Sequence, residues 1–188
     1  ASLTKIMTTY TAINLISNID EQITITEDDI DNLDGYAVVG FKVGDIVTYK
    51  DLLYGTMIKS GADALKKSAD ALMDDSLWEK KKLTKKDETT GEESEIEDYD
   101  WDKINKAVKA FISDYNDVIE QAGESNSKEV LRNAVWMTGT TEANENVLSK
   151  IGITVGKGNK MELDDEKIKK ADIGTLKTLF TGHNSFAS

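Results

Sequence analysis

The chain has 188 residues, of which 39% are apolar, 31% charged and 7% aromatic, with a formal charge of −12; this length suits one medium domain or two small ones. The acidic excess argues against a phosphate-backbone binder, which needs clustered Lys and Arg, and no run approaches the roughly 18 apolar residues of a membrane-spanning helix. With no Cys there is no disulfide, thiolate metal site or cysteine nucleophile, and the lack of Pro favours long helices with few rigid turns.

Ala1 in place of an initiating Met reads as a truncation, and Ser2 to Lys5 already resemble the inside of a domain. Ile6, Met7, Tyr10 and Ile13 recur at helical spacing, which predicts a first helix from Leu3 to about Ser17 with Ser2 at its N-terminus. Ile23 and Ile25 alternate with Thr24 and Thr26 as in a short strand, and Asp34-Gly35 marks a turn before Tyr36 to Phe41. Thr48 and Asp51 form a capping-box pair for a helix through Leu52, Leu53 and Met57.

Between Ser60 and Leu72 the composition shifts to Ala, Lys and Asp, with Ser60-Gly61-Ala62-Asp63-Ala64 nearly repeated as Ser68-Ala69-Asp70-Ala71-Leu72. Trp78 to Tyr99 is densely charged about a Thr90-Gly91 centre and reads as an exposed hairpin, with a disordered loop as the alternative. Its basic run, Lys80 to Lys82 with Lys85 and Lys86, is followed by acids from Asp87 to Asp100, so the two runs are expected to neutralise each other.

Trp101, Ile104, Val108, Phe111, Tyr115, Val118 and Ala122 step by three and four, a heptad seam. Such a seam is either the core-facing stripe of a bundle or a surface for a homo-oligomer. A further helix after Ser127 would carry Val130, Leu131, Ala134, Val135 and Thr138, with another short one leading to Leu148. Ile151 to Val155 and Lys160 to Leu163 form a hairpin across Gly156 to Asn159. Asp164 caps a short helix through Ile168 and Ala171, and Asp172 caps another through Leu176 and Phe180. The fold class expected from these elements is α+β, mostly helical.

Ser2-Leu3-Thr4-Lys5 places a Lys amine one turn from a Ser hydroxyl on one helix face, the arrangement in which the amine takes the hydroxyl proton during attack on a carbonyl. By itself this spacing is common at helix starts. In context, Ala1 to Thr8 is similar almost letter for letter to the nucleophile motif of the low-molecular-mass penicillin-binding proteins, the serine-type D-Ala-D-Ala carboxypeptidases. Asp20 to Thr26, Val43-Gly44-Asp45 and Asp51 to Gly55 look like the family's following stretches, and Ser60-Gly61-Ala62 stands at its second motif. The resemblance covers residues 1–64. It implies Ser2 as the acylated nucleophile, Lys5 as its base and Ser60 as a proton relay, acting on a peptidoglycan stem peptide or a β-lactam, in an incomplete penicillin-binding-protein-like α/β fragment.

Two departures from the family pattern predict an inactive site. Ala62 replaces the usual Asn and cannot make its hydrogen bonds. No Lys-Thr-Gly triad is present: Lys177-Thr178-Leu179 has the wrong third residue and Met137-Thr138-Gly139 lacks the cation. The strand supplying part of the oxyanion hole is also unaccounted for. An N-terminal fragment lacking its sheet would be the less stable part, with apolar faces left open.

Residues 65–188 resemble the C-terminal part of flagellar filament-cap or hook-associated proteins of Gram-positive bacteria. Phe111 to Ile119, the stretch from Ile151-Gly152-Ile153 through Lys160 to Lys167, and the ending Leu176 to Gly182 carry that resemblance. It implies a helical segment with one or two hairpins and a homo-oligomer or flagellar-subunit contact through Trp101 to Ala122. The two resemblances leave three readings open: a peptidoglycan-trimming enzyme, a structural protein of the filament tip, and a chimaera of two bacterial genes. Each places the chain outside the cytoplasm of a bacterium, at the envelope or secreted.

Other candidates fail on their residues. Asp28 to Gly35 puts Ile30 and Leu33 where a calcium loop needs oxygen ligands, Gly156-Lys157-Gly158 lacks the spacing and hydroxyl of a phosphate-binding loop, and His183 has no metal-ligating or triad partner. No cofactor or metal site is therefore expected.

Overall fold

The computed structural model describes residues 3–31, 41–86, 91, 93–125, 128–182 and 185–187, excluding the side chains of residues 3–6 and 129. Seven α-helices and three two-stranded antiparallel sheets are found among them, a mostly helical α+β fold. Two compact units are distinguishable, each described by itself: Ala1–Leu65 with Asp114–Met137, and Lys66–Ser113 with Thr138–Ser188.

In the first unit, α1 (Leu3–Leu15) precedes strand β1 (Gln22–Thr24), the single turn α2 (Glu27–Ile30) and strand β2 (Ile46–Thr48). Gln22 pairs with Thr48, Ile23 with Val47 and Thr24 with Ile46. The Ile25 and Gly44 amides extend this ladder to the Asp45 and Ile25 carbonyls, at 2.9 and 2.8 Å. The expected turn at Asp34-Gly35 lies outside the described residues. Helix α3 (Tyr49–Met73) starts where the capping box places it. The Thr48 amide and hydroxyl donate to Asp51 Oδ2 at 2.9 and 2.7 Å, and the Asp51 amide donates back to Thr48 Oγ1 at 3.1 Å.

The composition shift at Ser60 leaves no break, because Ala, Lys and Leu all favour the helix and no Pro interrupts it. The helix ends against Trp78, whose buried indole Nε1–H donates to the Leu72 carbonyl at 2.8 Å and satisfies one of the end's orphan acceptors.

The sequence implies that this N-terminal part leaves apolar faces open. The structure leaves Met7, Tyr10, Ile13 and Leu15 all more than half exposed. Among the described residues their unit has two strands of three residues, too small a sheet to cover them.

In the second unit, strands β3 (Lys80–Lys86) and β4 (Glu93–Tyr99) form the hairpin anticipated for the charged stretch. Asp100 then caps α4 (Trp101–Gly123), accepting the Lys103 amide at 3.0 Å. The heptad seam is consumed inside the chain: Ile104, Val108 and Phe111 of this unit, and Tyr115, Val118 and Ala122 of the first, are all buried. This is the core-facing stripe, and Trp101 at its start is half-buried.

Helix α5 (Lys128–Lys150) is one helix where two were expected. Nothing between Thr138 and Leu148 stops it, since Gly139 is tolerated inside a helix at a cost of about 1 kcal/mol. Its expected apolar face is open at Leu131 and Val135, while Thr141 and Leu148 are buried.

Strands β5 (Ile153–Val155) and β6 (Met161–Leu163) pair across a tight 3₁₀ turn at Lys157–Asn159, with Gly158 and Asn159 at φ 75° and 59°. Asp164 caps α6 (Asp165–Ile168), accepting the Glu166 and Lys167 amides, and Asp172 caps α7 (Ile173–Phe180), accepting the Thr175 amide. Leu72, Trp78, Ile104, Val108, Phe111, Leu148, Ile153, Met161, Ile168, Leu176 and Phe180 make the core of this unit.

These caps give the second unit a defined acid sensitivity. Hydrogen bonds from Thr175, side chain first and then backbone, hold Asp172 below its ordinary 3.8. Asp165 is held low by Lys109, and Asp74 by the Ser76 amide. A carboxylate depressed in the folded state contributes stability that is fully present above its unfolded value and lost as pH falls through the folded one. The urea midpoint should therefore stay level from about pH 7 to pH 4 and fall below that, less steeply in Asp172→Asn, as followed by far-ultraviolet circular dichroism. An equal slope in the variant refutes the assignment.

Candidate functional site

Of the three residues implicated in acyl transfer, Ser2 lies outside the described residues. Lys5 lies on the first turn-and-a-half of α1, and its side chain is likewise outside them. Ser60 sits in the middle of α3 and is only 4% exposed. The next residue explains why this side of the helix faces inward: a Cβ on Gly61 would stand 3.2 Å from Val118 Cγ2 and 3.5 Å from Gln121 Oε1, so α4 approaches α3 closely here. Gly is the residue that allows that approach. Ala62, at the position of the missing Asn, is exposed, and Lys59 and Asp63 pair across one helical turn on the surface.

The sequences nearest to a Lys-Thr-Gly triad are both helical. Lys177 lies on α7 with its ammonium 2.9 Å from Asp75 Oδ1, and that carboxylate raises the Lys177 pKa above its ordinary 10.5. Leu179 is buried and Gly139 lies inside α5. Every sheet among the described residues has two strands.

Two side-chain clusters emerge that periodicity did not indicate. Trp78 stacks on Phe180 with ring centroids 6.0 Å apart and planes at 7°, while Phe111 and Phe186 meet Phe180 edge-on at 6.1 and 6.4 Å. These residues come from four separate places in the chain, so no local spacing links them. Asp165 accepts from Lys109 Nζ at 2.7 Å and from Asn105 Nδ2 at 3.3 Å, tying α6 to α4. Lys167 Nζ donates to the Ser149 carbonyl at 2.6 Å and ties α6 to the end of α5. Both clusters bind elements together.

The β3–β4 hairpin concentrates the surface charge. Strand β3 carries five Lys and no acid, and β4 carries three Glu and an Asp with no base. The register sets Lys81 opposite Asp98, Lys82 opposite Glu97 and Lys86 opposite Glu93, with Leu83 opposite Ile96 at the centre. Lys80 adds a cation–π contact, its ammonium 5.7 Å from the Tyr99 ring centroid. Opposite charges facing across an antiparallel pair contribute roughly 0.2–1 kcal/mol each. Within the described residues the Lys run and part of the acidic run thus face each other in register. The signal was present in the sequence as two adjacent runs of opposite sign.

Among the described residues no group of three or more His, Asp or Glu is placed to hold a metal ion. No helix among them is long and apolar enough to cross a membrane. Comparisons with protein-family models, with curated proteins and with solved structures find no match to this chain.

Proposed function

We propose that the chain is a non-catalytic assembly protein of the bacterial cell envelope, acting outside the cytoplasm. In this reading a carboxypeptidase-like segment that does not turn over substrate is joined to a segment of the filament-cap and hook-associated type. The observation that carries it is the burial of Ser60 in the middle of α3. A proton relay must reach both the base and the departing group of a substrate that arrives from solvent, and a hydroxyl shielded within a continuous helix has no such access.

Supporting it, the Lys177 ammonium is engaged by Asp75. The β5–β6 hairpin, the Asp164-capped α6 and the Leu176 to Phe180 helix have the form that the filament-cap resemblance implies. The change of resemblance near residue 64 falls inside α3, so the two segments share one helix instead of a linker.

The test is labelling with a fluorescent penicillin, followed by mass spectrometry of the Ser2 peptide, with Ser2→Ala as the control. The expected result is no adduct on folded protein. Stoichiometric adduct on Ser2 overturns the reading and restores the peptidoglycan-trimming enzyme, with the stem peptide as its substrate.

A further inference from the structure

We propose that the β3–β4 hairpin is a head-to-tail interface between copies of this chain, the acidic edge of one hairpin pairing with the basic edge of the next. The inference rests on the assembly reading above and names its partner as a second copy.

The hairpin is a complete two-stranded sheet, and no other strand among the described residues pairs with either member. Each strand therefore presents an outer row of backbone amides and carbonyls, the template on which strand addition works. Lys80, Lys82, Thr84, Lys85 and Lys86 are exposed on β3, and Glu93, Ser94, Glu95 and Glu97 are exposed on β4.

The charge distribution decides which strand can be added. A Lys-rich edge ordinarily protects a sheet, because a like-charged strand is repelled. Pairing β3 with β3 of another copy would set a row of five Lys against its equal, and pairing β4 with β4 would set four carboxylates against four. Only β4 against β3 of the next copy repeats the complementarity that already closes the hairpin within one chain. Like charges opposite one another oppose pairing and unlike charges favour it. Both symmetric dimers are thus disfavoured, and one asymmetric contact remains.

An asymmetric contact leaves a free acidic edge on the last copy and a free basic edge on the first. Such a heterologous interface grows into a ring or an open filament. The seven-residue strands make a small contact, at the weak end of protein interfaces, so growth should depend on concentration.

Sedimentation equilibrium of the full chain tests this directly. The weight-average mass should rise with concentration past twice the 20.8 kDa of one chain without stopping at a dimer. The fourfold variant Lys82→Glu, Lys86→Glu, Glu93→Lys, Glu97→Lys keeps unlike charges facing within the hairpin and between its own copies, but sets like charges opposite at both positions when it meets a wild-type strand. It should associate with itself, with unchanged circular dichroism, and should not co-assemble with tagged wild-type chain. As a second arm requiring no variant, a synthetic peptide of the sequence Lys80 to Lys86 should cap the open β4 edge and lower the mass of the wild-type assembly towards the monomer. A wild-type monomer at every concentration, a mass that stops at the dimer, a variant that co-assembles with the wild type, or a peptide without effect overturns the proposal. A wild-type monomer whose Ser2 takes no penicillin overturns this pairing and leaves the non-catalytic reading standing. An adduct on Ser2 overturns that reading whatever the mass.

Discussion

Phe180→Ala should cost the second unit about 3–5 kcal/mol, the range for emptying a buried Phe site. The side chain is fully buried and is the common member of three ring pairs. Stacked and edge-on pairs each contribute roughly 0.5–1.5 kcal/mol beyond the area they remove from water, so truncation loses these contacts along with the transfer of the ring. The damage is not confined to α7, because Trp78 also closes the end of α3 through its bond to the Leu72 carbonyl. Urea unfolding followed by tryptophan fluorescence should show a lower midpoint and a red-shifted folded-state emission as water reaches Trp78. Phe180→Leu, which keeps most of the volume, should recover more than half of the loss. A midpoint within experimental error of the wild type would show that the four rings do not form the core described here.

Gly152→Ala should cost about 2–4 kcal/mol. Gly152 ends α5 with φ at +92°, in the region that non-glycine residues enter only with strain. Space is short as well: a Cβ there would stand 3.0 Å from Lys167 Cβ, 3.1 Å from the Asp164 carbonyl oxygen and 3.2 Å from the Ile168 amide nitrogen. Two of those neighbours are backbone atoms held by other bonds, since the Asp164 amide donates to Gly152 O at 2.8 Å and the Ile168 amide donates to Asp164 O at 3.0 Å. Relief of the clash therefore has to move the start of α6. Gly158→Ala is the control, for it shares the positive φ but has nothing within 4 Å of the added carbon, so it should cost only the backbone strain. Thermal unfolding of the two variants separates conformation from crowding. Equal losses would remove the packing argument.

The two substitutions also mark the limit of what could be read from residue order. Elements whose signal is local were legible: the Thr48 and Asp51 box, the Asp164 and Asp172 caps, the β5–β6 turn with its Gly and Asn, and the charged β3–β4 hairpin all occur where neighbouring residues imply them. Each depends on side chains reaching backbone groups or facing strands within a few residues, so sequence distance and spatial distance agree. The fusion of two expected helices into α5 and the continuation of α3 through Ser60 were less legible. A composition change resembles a boundary, yet Ala, Lys, Asn and Glu all permit an uninterrupted helix.

For the candidate site the position is different. An S-x-x-K spacing at Ser2 and Lys5 and a Ser at position 60 are recognisable in order alone, but catalysis is a property of distances between groups far apart in sequence. The burial of Ser60 depends on α4 approaching α3 at Gly61, which no local pattern announces.

Residue order by itself determined the helix starts with their caps, the β3–β4 and β5–β6 hairpins, the heptad stripe of α4 and the opposition of a Lys run to an acidic run, because these depend on periodicity and on bonds between near neighbours. Tertiary structure alone decided that the stripe is spent within the chain, that four rings from distant segments meet at Phe180, and that Ser60 is enclosed. Helical spacing defines an apolar face without naming what covers it, and the covering surface is supplied by whichever distant segments pack there.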